Sequence, residues 1–270
     1  MGEFSEREEV FQPKIQRLEE MIKAARSTCV FTGAGVSTLS GIPDFRGAHG
    51  VYTDPWHGMD VEDIVSIGFF EREPSIFYQW AKAVWYNVEH YQPTIVHTTL
   101  AKMERMGYMR SLYTQNIDML HERAGSKAVY DVHGSVAHHH CPNCGKYFPY
   151  EAVAKVVQEG NVPHCDVCGH VVKPDIVLYG ESLDSYILNR AYEEFSSCDL
   201  CLVLGSSLTV QPAASFPVLA CRHGANLVIV NAQPTMQDDA ADLLFSDLEQ
   251  VFSTLDRWLD TLPIRKKCAY

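Results

Sequence analysis

The stretch DVHGSVAHHHCPNCG, residues 131 to 145, gathers four histidines and two cysteines into fifteen positions. These residue types bind metals or move protons near neutral pH. Cys141 and Cys144 are answered downstream by Cys165 and Cys168: CxxC, twenty intervening residues, then CxxC, each pair followed by glycine. Two such knuckles bring four thiolates to tetrahedral reach, and zinc held by four protein ligands keeps no position for water or substrate. The spacing therefore predicts one structural Zn2+. A thioredoxin-like redox pair, plain buried thiols, or a Cys3His site through His140 or His164 are the competing readings. With the zinc shell filled by cysteine, His138, His139 and His140 read as solvated loop residues. His133 differs: it ends the run VYDVHG, with Gly134 behind it, at a strand end where a base could face a ligand.

Other strand ends carry chemistry of a different kind. GAGVSTLSGIPDFRG, residues 33 to 47, follows a short apolar run, and its glycines would let backbone N–H groups approach a pyrophosphate. Gly33 and Gly35 supply two glycines of a dinucleotide fingerprint, but Thr38 stands where GxGxxG has the third, so an ordinary tight turn competes. TQNID, residues 114 to 118, offers amide and carboxylate groups suited to ribose hydroxyls and a carboxamide, or else a polar turn or helix cap. Gly205, Ser206 and Ser207 follow the most apolar run, and Asn231 ends LVIVN, where a doubly wound site reads a ribose.

Such positions need a frame. KIQRLEEMIKAAR places Ile15, Leu18, Ile22 and Ala25 on one helical face. Strand-length apolar runs recur in TCVFTG, SLYTQN, VYDVHG, DIVLYG, DLCLVLGSS and NLVIVNAQ, the rhythm of a parallel α/β sheet, whose ligands gather at the carboxyl ends of strands. Two stretches break it, an aromatic, helix-forming one and the cysteine-bearing one. The expected division is a parallel-sheet α/β domain of residues 1–48, 109–135 and 175–270, with insertions 49–108 (helical) and 136–174 (cysteine-bearing) forming a smaller domain.

Composition narrows the functional classes. A formal net charge of −12 with pI near 5.4 repels phosphate backbones, and the one basic run, Arg265 to Lys267, reads as a solvated tail, so nucleic acid is not an expected partner. No apolar run approaches the roughly 20 residues needed to span a bilayer. The acidic start lacks a signal peptide's pattern, and Ser5 and Cys268 miss the registers of lipid-anchor signals. Nine cysteines, four of them in CxxC pairs, suit a cytoplasmic metal-holding protein better than a secreted disulfide scaffold.

Taken in order, GAGVSTLSGIPDFRG, TQNID, VHG, the paired CxxC, KPDIVLYGE, GSSLTVQPA and VNAQPT resemble the sirtuin family of NAD-dependent protein deacylases, of bacterial or archaeal type, over roughly residues 14 to 258. The resemblance implies a large Rossmann-like domain and a small domain built from the helical insertion and a zinc ribbon, with NAD and an acyl-lysine peptide meeting in the cleft between them. It implies NAD contacts from Ala34, Gly35, Thr38, Phe45 and Arg46 in the glycine loop. Gln115 would hold the nicotinamide ribose, Ile117 and Asp118 the nicotinamide, and Asn116 would line the same pocket. Ser206 and Ser207 would meet the phosphates and ribose, Asn231 the adenosine ribose, and Asp247 with Leu248 the adenine end. His133 falls on the family's general base. Val177, Tyr179, Gly180 and Glu181 match the segment beside which the peptide adds as a strand.

The implied reaction consumes NAD. The acyl oxygen displaces nicotinamide at the ribose C1′, His133 acts as base on a ribose hydroxyl that attacks the resulting imidate, and water releases lysine and O-acyl-ADP-ribose. Thr38-Leu39 stands where many members carry a small residue and an acid, and Asp184 where proline is common. Members favouring succinyl or malonyl groups have Tyr-x-x-Arg where this chain has Tyr78 followed three later by Ala81, so neutral acyl groups, acetyl first, are expected. A mono-ADP-ribosyltransferase and a non-catalytic NAD-sensing or nucleic-acid-binding module are the rival expectations.

Overall fold

Every residue of Thr28–Thr32 (β1) is buried, as a strand covered on both faces of a parallel sheet must be. The computed structural model describes residues 6–45 and 50–265. In chain order the remaining strands are Ser111–Thr114 (β2), Val129–Asp131 (β3), Gly134–His140 (β4), Tyr147–Pro149 (β5), Lys173–Ile176 (β6), Leu200–Leu204 (β7), Asn226–Val230 (β8) and Leu243–Phe245 (β9). The helices are Glu8–Ala24 (α1), Val61–Ile64 (α2), Ile67–Arg72 (α3), Pro74–Val84 (α4), Ile95–Met106 (α5), Leu120–Arg123 (α6), Tyr150–Gln158 (α7), Ser185–Phe195 (α8), Ser215–Arg222 (α9) and Leu248–Leu259 (α10).

Six strands form one sheet in the order β3-β2-β1-β7-β8-β9, and every pairing in it is parallel. The chain runs outward from β1 to one edge, then returns to the far side of β1 and runs outward again. The strand order therefore reverses between β1 and β7, and a crevice opens beyond their carboxyl ends. On one face, α1, α5 and α10 bury Ile15, Leu18, Ile22, Leu100, Met103 and Phe252 against Val30, Leu112 and Leu202. On the other, Phe195 and Phe216 pack on Phe31 and Tyr113. Fully burying one large apolar side chain contributes about 1.5–3 kcal/mol.

A second, antiparallel sheet has the order β5-β4-β6. Its apolar side, with Val136 and Ile176, packs on Phe70, Phe77, Trp80 and Tyr86 from the aromatic insertion and on Val153 and Val157 of α7.

Three expectations change. DIVLYG does not supply a strand of the parallel sheet: its first residues end β6, which pairs antiparallel with β4, and the burial of β6 alternates, as it does in a strand with one face packed. His138, His139 and His140 are not loop residues but the end of β4. Period-two alternation turns His139 inward, where it is 0% exposed and meets the Tyr86 hydroxyl at 2.7 Å, and leaves its two neighbours exposed. Helix α5 lies within the stretch 49–108, yet Val96, Leu100, Met103 and Met106 join the core of the large sheet. The helical pattern of α5 shows an apolar stripe but not which sheet covers it.

Candidate active site

The crevice at the β1/β7 reversal is built from two loops that touch. Gly33 N–H donates to Leu204 O at 3.0 Å and Gly35 N–H to Gly205 O at 2.9 Å. A methyl group on Gly33 would sit 2.7 Å from Gly205 O, and one on Gly35 2.7 Å from Gly205 Cα. Gly205 itself has φ +59°, and its added carbon would lie 2.6 Å from Val36 N. The glycines are thus required by the approach of one loop to the other. The amides of Gly33 and Gly35 are spent on that contact. Two short 3-10 turns follow, Ala34–Val36 and Thr38–Ser40, with Thr38 Oγ1 donating to Gly35 O.

The segment after β2 forms the next wall. Gln115 N–H donates to Thr32 O at 2.9 Å, and Gln115 Nε2 donates to Ser206 Oγ at 2.7 Å, joining it to the β7 loop. Asn116 Nδ2 donates to Gly33 O at 3.1 Å and to Ser37 Oγ at 3.3 Å. Asp118 accepts from Ser37 Oγ at 2.6 Å and from Leu120 N–H at 3.0 Å. Burial raises the Asp118 pKa above its ordinary value, and those two donors oppose the rise. His133 leaves the edge strand β3 and places Nδ1 3.3 Å from Gln115 O. A proton on Nδ1 directed at that carbonyl leaves Nε2 as the basic nitrogen. Burial lowers the His133 pKa, and the carbonyl partly offsets this.

These groups line a cavity of about 1300 Å³. Its walls include Gly33, Ala34, Gly35, Thr38, Phe45, Gln115, Asn116, Ile117 and His133. Gly205, Ser206, Ser207, Asn231, Asp247 and Leu248 line its far end, and Val177, Tyr179, Gly180 and Glu181 its rim. Asp118 lines instead an adjoining cavity of about 140 Å³, which Asn116 and Ile117 share. Arg46 lies outside the described residues. Asp247 also caps α10 through Gln250 N–H at 3.0 Å, and Asn231 Nδ2 donates to Gln233 O at 2.7 Å. Sequence reasoning missed Val65, Tyr52 and Trp85, which line the larger cavity. They come from the aromatic insertion, where nothing local distinguishes a cavity wall from a core residue.

The segment after β6 runs between the two sheets. Val177 N–H donates to His133 O at 2.9 Å, while Tyr179 exchanges hydrogen bonds with Val65 O at 3.0 Å and Ile67 N–H at 2.9 Å. The Glu181 carboxylate accepts from Leu178 N–H and from Lys173 Nζ, both at 2.9 Å, so it stiffens its own turn.

Away from the crevice, one ligand atom from each of Cys141, Cys144, Cys165 and Cys168 lies within 4.8 Å of the others. The Cys141–Cys168 and Cys144–Cys165 sulfurs are 3.4 and 3.6 Å apart, close to the edge of about 3.8 Å that a tetrahedron with Zn–S near 2.3 Å requires. The two knuckles share one backbone form, Gly145 N–H to Cys141 O at 2.9 Å and Gly169 N–H to Cys165 O at 2.8 Å. His140 Nδ1 is held instead by Asp175 at 2.7 Å, and His164 Nδ1 by Gly169 O at 3.0 Å. The donor set fits one tetrahedral zinc.

Comparison with known proteins bears on this site. A model of the Sir2 family matches residues 33–212. An NAD-dependent protein deacetylase of Thermotoga maritima is 40% identical over 233 residues, covering 86% of this chain and 93% of that protein. The NAD-dependent protein deacylase 2 of Archaeoglobus fulgidus is also 40% identical over 233 residues, covering 86% and 90%. A solved structure described as Sir2 with p53 peptide and NAD+ superposes with a TM-score of 0.82 at 38% identity, over 92% of this chain and 98% of that one. Another, Sir2Tm bound to a propionylated peptide, gives 0.81 at 38% identity over 92% and 98%. No helix among the described residues is long and apolar enough to cross a membrane.

Proposed function

This chain belongs to the Sir2 family and is an NAD-dependent protein deacetylase; on that premise we propose that His133, Asn116 and Asp118 carry the reaction in the crevice beyond β1 and β7. The observation that carries the proposal is convergence. Two glycine loops, the 115–118 segment, His133 and the 177–181 segment line one cavity of about 1300 Å³, larger than the roughly 300–1,000 Å³ of a single small-molecule pocket. There is room for a dinucleotide and an acyl-lysine side chain together.

Bound NAD supplies a ribose carbon made electrophilic by loss of nicotinamide. His133, directed by Gln115 O, is unprotonated at neutral pH because burial lowers its pKa. Its Nε2 takes a proton from a ribose hydroxyl, as a general base does, and the hydroxyl oxygen receives the acyl group on the way to O-acetyl-ADP-ribose. Asp118 and Asn116, ordered by Ser37, hold the nicotinamide end. The β7 loop and Asn231 hold the phosphates and adenosine, and the peptide lies extended beside Val177–Glu181. The four cysteines hold one structural Zn2+, and the large parallel sheet with its smaller partner sheet forms the two-body division. Two CxxC pairs placed to hold a metal support a cytoplasmic setting.

The acyl group is a neutral one. Among the described residues lining the cavity there is no Lys or Arg to meet a second carboxylate, Ala81 is fully buried, and the Tyr78 hydroxyl donates to Val172 O. The decisive experiment incubates an acetyl-lysine peptide with and without NAD, using wild type and His133→Ala. Deacetylation should require NAD and fall at least about 100-fold in the variant. Activity that survives NAD omission or the substitution sinks the mechanism, as does a succinyl-lysine rate above the acetyl-lysine rate for the acyl preference. Labelled NAD should deliver its label to O-acetyl-ADP-ribose; label retained on protein would favour ADP-ribosyl transfer.

A further inference from the structure

Gly33, Ala34 and Gly35 line the large cavity, whereas Thr32 before them and Val36 after them line neither cavity and are 0% exposed. Each of these two flanking residues is held from behind by a buried histidine, one directly and one through a hydroxyl. Thr32 Oγ1 lies 3.0 Å from Nε2 of His121, on α6. Val36 O accepts from Thr94 Oγ1 at 3.0 Å, and that hydroxyl lies 2.7 Å from Nδ1 of His97, on α5. Thr94 N–H also donates to His97 Nδ1 at 3.1 Å, so one ring nitrogen fixes the residue that fixes Val36. The two imidazoles are neighbours, with centroids 4.5 Å apart at 52°, and neither lines a cavity.

Stability alone does not account for this pair. His97 Nε2 and His121 Nδ1 are buried with no hydrogen-bond partner, and a buried polar atom left unpaired is destabilising. Burial keeps both rings neutral near pH 7, so no ion pair offsets the loss. Leucines would fill the space without that penalty, but they could not hydrogen-bond to Thr32 or Thr94. What the histidines add is position, in a loop whose glycines are conformationally permissive.

We propose that His97 and His121 are a positioning pair for NAD: they hold the two ends of the glycine loop, Val36 through Thr94 and Thr32 directly, and so fix Ala34 and Gly35 in the cavity wall. The assignment rests on the proposed function for the reading that this loop contacts NAD. Because neither ring reaches the cavity, loss of the pair falls on NAD and spares the peptide.

The test uses zinc-loaded full chain. His97→Leu and His121→Leu delete the hydrogen bonds, whereas His97→Asn keeps an acceptor near Nδ1 and His121→Gln a donor near Nε2. NAD affinity is measured by calorimetry, the KM values for NAD and acetylated peptide by initial rates, and amide hydrogen exchange over residues 33–37 by mass spectrometry, all below the melting temperature of every variant. Each leucine variant should weaken NAD about fivefold, the loss of one hydrogen bond, raise its KM to match, speed exchange over 33–37 and leave the peptide KM within twofold. The Asn and Gln variants should return NAD affinity to within twofold of wild type. Thr94→Val, which removes the hydroxyl between His97 and Val36, should weaken NAD as much as His97→Leu does, and the double variant no further. NAD affinity unchanged within twofold in both leucine variants, a peptide KM that rises as far as the NAD KM, or additive losses in the double variant would each overturn the proposal. If a leucine variant does not fold, Thr94→Val for His97 and Thr32→Val for His121 decide by the same NAD measurement. Wild type that binds no NAD would refute the reading of the loop itself, and exchange over 33–37 then decides whether the histidines hold it.

Discussion

Acid should destabilise this protein through a buried histidine that lines neither cavity. His97, on α5, is 0% exposed. Its Nδ1 faces Thr94 N–H at 3.1 Å and Thr94 Oγ1 at 2.7 Å, and its Nε2 has no partner. Burial pushes its pKa down to about 4 from an ordinary 6.5. Because the folded-state pKa is depressed, the unfolded chain takes up a proton where the folded chain refuses it. The stability linked to neutral His97 is therefore whole above pH 6.5 and drains as the pH falls towards 4. At 1.36 kcal/mol per pH unit, acidification from pH 7 to pH 5 costs about 2 kcal/mol at this one residue, a sizeable part of the roughly 5–15 kcal/mol that holds a domain together. His121, 4.5 Å away ring to ring and pushed down first by burial and then by His97, acts in the same sense. Urea unfolding of zinc-loaded protein at pH 7 and pH 5, in wild type and His97→Asn, isolates the effect. The substituted amide can still accept from Thr94 N–H but cannot titrate. The variant should lose about 2 kcal/mol less than wild type over that interval. Equal losses in the two proteins, at equal urea slopes, would refute the argument.

Three further outcomes are expected. The pH–rate profile for deacetylation should fall on its acidic side with an apparent pKa below 6.5, since burial lowers the His133 pKa; a limb above 6.5 would exclude His133 as the base it reports. Gly205→Ala, which meets Val36 N at 2.6 Å with φ at +59°, should cost at least about 1–3 kcal/mol of stability and raise the KM for NAD, both readable from thermal melts and initial rates. Metal analysis should find one zinc per chain, and Cys144→Ser should release it and loosen the β4–β6 sheet before the large one, as hydrogen exchange would resolve.

Much of this molecule is legible in the sequence because its signals are local. The apolar runs of β1, β7 and β8, the stripe of α1 and the two CxxC knuckles are each set by a few adjacent residues and their period. The sequence also placed GAG, TQNID, VHG, GSS and VN at strand ends, and Gly33, Gln115, His133, Gly205 and Asn231 from these motifs line one cavity. β9 escaped notice because three strand residues carry too little pattern to stand apart.

Non-local contacts decided the rest. That β1 lies against β7, 172 positions along from Thr28 to Leu200, is what opens the crevice, and no single segment encodes that pairing. The same contact makes the glycines a seam between two loops. Three adjacent histidines look alike in sequence, but a strand buries the middle one and exposes its neighbours. Trp85 reads as one more core aromatic until two cavities are seen to share it. Local order follows from residue type and period, whereas which polar atoms remain unpaired, and what they face, is fixed only when distant segments pack.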